Sequence, residues 1–389
     1  MTELASKHVI VIGAGIIGAS IAWHLAALGA RVTVIATENG LGGTATPNSF
    51  AWINANRGNA RHYYELRRRS MALWRSLSDE TNGVPGLAAL VRWTGTIQWN
   101  QPSEELDKFV EEHTSWGYNV SRIDNTALAK KEPSLHGSAL PSAGWAVETP
   151  DEGSVEPALA AQLLLEQAKA AYGTRVIVGT VASLTVSEGR VTGIVTDDGT
   201  VLKADHVVVA AGLGSVSLCA SAGIDLPVYG RPGLLAHSKP ISDRRLLNGI
   251  VLSAGPHVRQ TVAGHLVVGA DFAGGGGGNL TDPDEQKQAG MALLDEAKKL
   301  FHPEDEHLIE LDFVTVGERP QPRDGLPIID AEILPGLALA VMHSGVTLAA
   351  IVGDLLAKEI VGGEVDEALK AFSIKRFGGN GINELAQLS

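Results

Sequence analysis

The most constraining feature of the chain is residues 8–35, HVIVIGAGIIGASIAWHLAALGARVTVI, which put a strand, a glycine turn, a helix and a second strand in the order of a dinucleotide site. Val9 to Ile12 is a β-branched run too short for a helix, and Gly13, Gly15 and Gly18 follow at once. From Ile16 the apolar spacing turns helical through Ile17, Ile21, Leu25 and Leu28 until Gly29 offers a left-handed cap, and Arg31 to Ile35 begins the next strand. The three glycines act differently. Gly13 makes the tight turn, Gly15 admits a pyrophosphate to the backbone, and Gly18 lets helix and strand pack closely. The helix N-terminus then faces the diphosphate with free N–H groups and the positive end of its dipole. The alternative, a glycine-lined packing contact, leaves Gly15 unexplained.

The second strand departs from the pattern. Where an acid should accept from the adenosine ribose, the sequence reads Ala36, Thr37, and the first carboxylate is Glu38, so Glu38 either reaches back from the loop or the ribose is held loosely. No Lys or Arg follows before Arg57, which argues against a 2′-phosphate.

With 389 residues and 45 glycines the chain exceeds one ordinary core, and two intertwined domains are expected. The formal charge of −13 disfavours nucleic acid and anionic membranes as partners. A single cysteine, Cys219, excludes an internal disulfide and fits a reducing cytoplasm. No apolar run approaches the ~20 residues of a membrane span, and the first run lacks a small-residue cleavage site, so a soluble protein is expected.

Further along, Gly40 to Gly58 is a loop of small and hydroxylated residues in which Thr44, Asn48 and Ser49 are candidate donors to phosphate or a ribityl chain, against ordinary turn chemistry. A helix is expected from Ala60 to Leu77, with Arg67, Arg68 and Arg69 on a solvated face. Short strands (Leu90 to Trp99) and a helix (Glu104 to His113) follow, with Trp93, Trp99, Trp116 and Trp145 suited to a substrate cover or to plain core packing. A helix from Ser154 to Gly173, a strand Arg175 to Val181 and a hairpin around Asp198-Gly199 come next. ADHVVVAAGLGS (Ala204 to Ser215) is an apolar strand entering a second glycine turn, and Gly212 is placed against the same dinucleotide or in a simple exit loop.

Pro227 to Val316 reads as a separate sheet layer, with His257, Arg259 and Thr261 alternating on one strand. The glycine run Gly274 to Gly278 is a lid or, more simply, a surface connection. His302 and His307 with Glu304, Asp305 and Glu306 lack metal-ligand spacing, and no metal is expected. Finally Gly317 to Asp330 leads into a strand, Leu337 to Met342, then HSGVTLA and a helix carrying Leu348, Ile351, Val352, Leu355 and Leu356 on one face.

Together VIVIGAGIIGAS, DEGSVEPALAAQLL, VVVAAGLGS, GERPQPRDGLPII and MHSGVTLA resemble, in order and over nearly the whole chain, the FAD-dependent oxidoreductases of the D-amino-acid oxidase, glycine oxidase and sarcosine oxidase superfamily. The resemblance implies an α/β fold: a Rossmann-like FAD-binding domain from residues 1–83, 150–225 and 317–389, with an inserted α+β substrate domain on a mixed or antiparallel sheet from residues 84–149 and 226–316. It implies that Gly13, Gly15, Ile17 and Gly18 hold the diphosphate, that Val181 meets adenine through its backbone, and that Gly345, Val346, Thr347 and Leu348 cap the pyrimidine edge of the isoalloxazine. Arg319, in the GxRP position, is similar to the arginine that pairs with substrate carboxylate, a role its guanidinium fork suits; a salt bridge to Glu318 or Asp324 is the alternative. No C-terminal cysteine stands where sarcosine oxidase-like members attach flavin, so the FAD is expected to be non-covalent.

The implied reaction is oxidation of a small-molecule amine or amino acid by hydride transfer to flavin N5, giving an imine that hydrolyses, with oxygen or a carrier as acceptor. His343 beside the flavin turn, and Arg259 and Tyr229 on the substrate sheet, are further candidate site residues, each set against ordinary packing. An NAD-dependent amino acid or opine-type dehydrogenase would share residues 8–38 but needs neither later glycine turn. A non-catalytic flavin-binding subunit would not need Arg319.

Overall fold

The computed structural model describes residues 6–37, 43–56, 58–270 and 281–378. Glu38 and the Gly274–Gly278 run lie outside them.

The N-terminal strand His8–Ile12 shows why the chain folds around it, because its alternate side chains feed two different cores. Val9 and Val11 face a cluster shared with the helix Ile16–Ala27, whereas Ile10 and Ile12 face a second cluster with Leu184, Val191 and Ile194. Each of these side chains is at most 4% exposed, and full burial of one such residue is worth about 1.5–3 kcal/mol. The strand is central in a six-stranded sheet of order Ile328–Leu334, Leu337–Val341, His206–Val209, His8–Ile12, Arg31–Ala36, Arg175–Val178. Its pairings are parallel except that of Ile328–Leu334 with Leu337–Val341.

Two helices meet over this sheet. Gly353, in the helix Gly345–Gly362, lies against Ser20 and His24 so closely that a Cβ there would fall 2.4 Å from Ser20 Oγ. Ser20 Oγ in turn donates to Ala349 O at 2.7 Å. This crossing sets the starts of both helices side by side, with Ile17 against Gly345.

A second sheet of eight strands runs Leu311–Pro322, Val228–Ser238, Leu266–Gly269, His257–Gln260, Ile250–Leu252, Thr96–Gln98, Trp145–Thr149, Ser121–Asp124. Only Ile250–Leu252 with Thr96–Gln98 is parallel, so the sheet is mixed, as the resemblance implies. Strand Leu311–Pro322 pairs with Val228–Ser238 along its whole length, and the chain therefore leaves this sheet after Pro322 rather than at residue 317.

Several local expectations need correction. Ser154 belongs to the strand Gly153–Val155, and the helix begins at Pro157, whose missing N–H suits the first helical position. The strand from Arg175 ends at Val178, and Val181 opens a new strand, Val181–Ser187, antiparallel to Arg190–Thr196. Leu28 lies past the end of its helix and is 47% exposed. Within the supposed sheet layer sits a helix, Pro283–Lys298, capped by Asp282, whose carboxylate accepts from the N–H groups of Asp284 and Glu285. The Asp-Pro cap signature announces that helix in the sequence.

Candidate active site

A cavity of about 920 Å³ lies between the two large sheets, lined by residues of the first glycine turn, the loop from Gly43 to Gly58, the Gly212 turn and the segments carrying Gly317 and Gly345. At one end is the first turn. Gly13 has φ +107°, and a Cβ there would sit 2.4 Å from Ala210 O. Gly18 does not line the cavity; a Cβ at this position would fall 2.0 Å from Gly13 O, so its lack of a side chain serves the helix–strand contact. Gly15 does line it, at a helix start with no side chain capping from Gly15 itself. First-turn N–H groups have no partner inside a helix, and here Ile16 N donates to Thr46 Oγ1 at 3.1 Å. Nothing in the sequence pattern singles out Thr46 from its hydroxylated neighbours.

Thr44, Asn48 and Ser49 also line the cavity. Asn48 Nδ2 donates to Thr44 O at 3.0 Å and to Val316 O at 3.3 Å, and Ser49 Oγ accepts from Ala51 N at 3.0 Å, so these side chains fold the loop as well as face the space. Ile17, Val181 and Gly212 line it too, Gly212 in the left-handed region at φ +57°.

Gly345, Val346 and Thr347 form the far wall, while Leu348 is fully buried behind them. Their turn is heavily braced. Thr347 Oγ1 donates to Trp52 O at 2.9 Å, Trp74 Nε1 donates to Val346 O at 3.0 Å, and the Ser70 hydroxyl accepts from Ile351 N and donates to Thr347 O. The N-cap residue of this helix, Ser344, makes no side-chain capping hydrogen bond.

Beside that turn the lining changes character. Arg319 donates to Pro232 O at 3.0 Å and to Arg231 O at 3.3 Å, and its other terminal nitrogen is 3.5 Å from His343 Nε2. A Cβ on Gly233 would lie 2.8 Å from the Arg319 guanidinium, so this glycine makes its seat. Asp324 is engaged by Arg376 at 2.7 Å, and Glu318 lies toward Gly230. The His343 ring is open to the cavity but enclosed by protein elsewhere; that burial, and then Arg319, Arg67 and Arg231, push its pKa down to about 4.

Arg67 corrects the reading of residues 67–69 as a solvated face. It is 6% exposed, lines the cavity, and donates to Asn54 O, Asn54 Oδ1, Tyr63 OH and Ser344 Oγ. The signal is its helical phase, since Tyr63, Tyr64, Ser70, Met71 and Trp74 share the buried stripe. Arg259 and Tyr229 do not line the cavity. Arg259 is buried, donating to Phe50 O at 2.5 Å and to Glu156 Oε1 at 3.3 Å, and Tyr229 is 53% exposed on the sheet surface. Among the described lining residues there are three arginines and two histidines but no carboxylate, in a chain of formal charge −13.

The donor set fits a flavin dinucleotide. A glycine-opened helix end suits the diphosphate, and a second helix N-terminus lies beside the first, which suits an electron-poor ring accepting negative charge. The cavity volume is within the range of small-molecule and cofactor sites. No described helix is long and apolar enough to cross a membrane.

Comparison with known proteins agrees. The chain is 28% identical over 378 residues to glycine oxidase of Bacillus licheniformis, covering 94% of this chain and 96% of that protein. It is 26% identical over 382 residues to one of the subunits of opine oxidase of Rhizobium meliloti, with the same coverages. The crystal structure of glycine oxidase from Geobacillus kaustophilus superposes with a TM-score of 0.79 at 25% identity, covering 95% of this chain and 99% of that one. The model of the FAD dependent oxidoreductase family matches residues 8–359, which sets aside the nicotinamide alternative: the chain belongs to this family, is an enzyme, and takes FAD.

Proposed function

We propose that the protein oxidises a carboxylated amine or amino acid at the carbon bearing nitrogen. The observation that carries the reading is the guanidinium of Arg319, held against the backbone carbonyls of residues 231 and 232 beside a neutral imidazole, in a cavity without described carboxylates. The chemistry supplied by bound flavin is acceptance of a hydride at N5, which leaves an imine for water to hydrolyse.

The chain's own residues do the rest. Arg319 pairs with the substrate carboxylate through two parallel N–H···O bonds, which fixes the orientation of the adjacent C–H bond. Phe50, Trp52, Leu234, Leu235 and Leu252 supply apolar wall that displaces water from the reacting carbon. The cationic lining also selects a protonation state. Arg67, Arg231 and Arg319 repel an ammonium, so the amine nitrogen binds as the free base and no carboxylate base is required. Gly13, Gly15, Ile17 and Gly212 would hold the diphosphate side without a covalent link, and Gly345 to Thr347 the ring; Cys219 is absent from the lining, and burial pushes its thiol up to about 12.

A panel of amines and amino acids mixed anaerobically with the flavoprotein tests this by bleaching of the flavin absorbance. Carboxylated amines are expected to bleach it and their decarboxylated analogues to fail. Arg319→Ala is expected to weaken binding of the active substrate by roughly 100-fold; unchanged affinity would remove the assigned role.

A further inference from the structure

We infer that the substrate carries a second carboxylate, and that Arg231 receives it. The inference rests on the carboxylated-amine reading and narrows its substrate class to dicarboxylic amines.

Arg231 and Arg319 are cross-strand partners in the register of Val228–Ser238 with Leu311–Pro322. Directly opposed residues of an antiparallel pair project from the same face, with Cβ atoms about 4.5–5.5 Å apart, and like charges in that arrangement destabilise the sheet. The face is the one on which Arg319 lies against Gly233, where a Cβ would fall 2.8 Å from the guanidinium, and its residues Arg231, Gly233, Leu235, Gly317 and Arg319 line the cavity together with Leu234 and Pro320 of the alternate positions. Glu318, the nearest acid in sequence, alternates to the opposite face, where its carboxylate lies by Gly230. Among the described residues nothing hydrogen-bonds or ion-pairs with the Arg231 guanidinium. Arg319 is seated on backbone carbonyls, whereas Arg231 is exposed at the cavity rim.

A sheet that sets two guanidiniums opposite one another, with no described acid in the wall, is stabilised by a ligand that brings two negative charges. One carboxylate satisfies Arg319, and a second, on the far side of the amine, spans to Arg231 and relieves the repulsion between them. A monocarboxylic amine leaves Arg231 facing water.

Diglycolate and methoxyacetate test this, since they differ by one carboxylate and their ether oxygen cannot undergo C–N oxidation. Their dissociation constants are measured on the FAD-loaded protein from the perturbation of the flavin spectrum. Diglycolate is expected to bind at least tenfold more tightly, and Arg231→Gln to reduce that preference to about threefold or less, while Arg319→Gln weakens both ligands at least tenfold. Equal affinities in the unsubstituted protein overturn the inference without any variant. So does an Arg231→Gln protein that retains FAD and the full preference, or one that loses FAD. If Arg319→Gln leaves both ligands unaffected, the carboxylate reading itself falls; if it weakens both but the unsubstituted protein shows no preference, only the second carboxylate falls.

Discussion

At the Gly13–Gly15 end of the cavity the polar wall is helix N–H groups, glycines and short uncharged side chains such as Thr44 and Thr46, with no described charge. At the Arg231–Arg319 end it is long cationic side chains, each arriving from a different element and each needing its own seat. The first arrangement accepts a diphosphate common to many proteins and is encoded by spacing within one short segment. The second recognises a particular substrate, and it exists only once Leu311–Pro322, Val228–Ser238, Arg61–Leu77 and the His343 turn have packed together.

The contrast is broken most severely by Gly18→Val. With a Cβ at 2.0 Å from Gly13 O the helix must move off the strand, so loss of soluble, FAD-retaining protein is expected. Gly15→Ala tests the other kind of glycine. Its Cβ would meet Thr46 Oγ1 at 3.2 Å, a contact that a small shift relieves. Thermal melting of the apoprotein should move little while the FAD dissociation constant rises roughly tenfold; a large drop in melting temperature would place Gly15 with the packing glycines.

Arg67→Met comes next. Removing the guanidinium takes the Arg67 donor from Asn54 O inside the protein and leaves Asn54 Oδ1 with Asn56 N and the Ser344 hydroxyl with His343, which should cost about 1–3 kcal/mol in denaturant unfolding. A cost below ~1 kcal/mol would mean that Arg67 is dispensable to the fold. The same residue shows where sequence reading stops. Three adjacent arginines look like a solvated run, and only the phase of Arg67 with Tyr63, Tyr64, Ser70 and Trp74 separates it from its neighbours. The parallel sheet and its helices are legible because each apolar run carries its own turn chemistry. Arg319 is legible as a motif residue, but Arg231 is not, since its significance lies in a pairing to a strand 88 residues away. Arg259 misleads for the converse reason: alternation puts it on a sheet face, and only the fold shows that Glu156 and the Phe50 carbonyl occupy it.

Gly233→Ala is a gentler probe of the same end. Its methyl would lie 2.8 Å from the Arg319 guanidinium, which must give up its position against Pro232 O. Carboxylate affinity should fall about tenfold while FAD affinity stays the same; a parallel loss of both would show that the two ends are not independent.

The smallest effect expected is a pKa shift that distinguishes the cavity from the core. His343 and His113 are both pushed down to about 4, in each case chiefly by burial, and only at His343 do neighbouring arginines add to the shift. His113 is fully enclosed by Phe109, Tyr64, Trp116 and Tyr118, and its shift comes from burial. His343 is lowered by burial and then by Arg319, Arg67 and Arg231. Both imidazoles are therefore neutral when folded, and their contribution to stability is complete above the unfolded value of about 6.5 and is lost as pH falls from there toward 4. Arg319→Gln removes one of the charges facing His343 and none facing His113. In ring-proton NMR titrations of the protein without substrate, the His343 midpoint should rise toward 6.5 by a fraction of a unit or more while that of His113 stays fixed. Equal movement of the two midpoints would mean that the substitution loosened the fold instead of unloading a cationic pocket. An unmoved His343 would mean that burial alone sets its titration, and the electrostatic difference between the two ends would then be weaker than the count of arginines suggests.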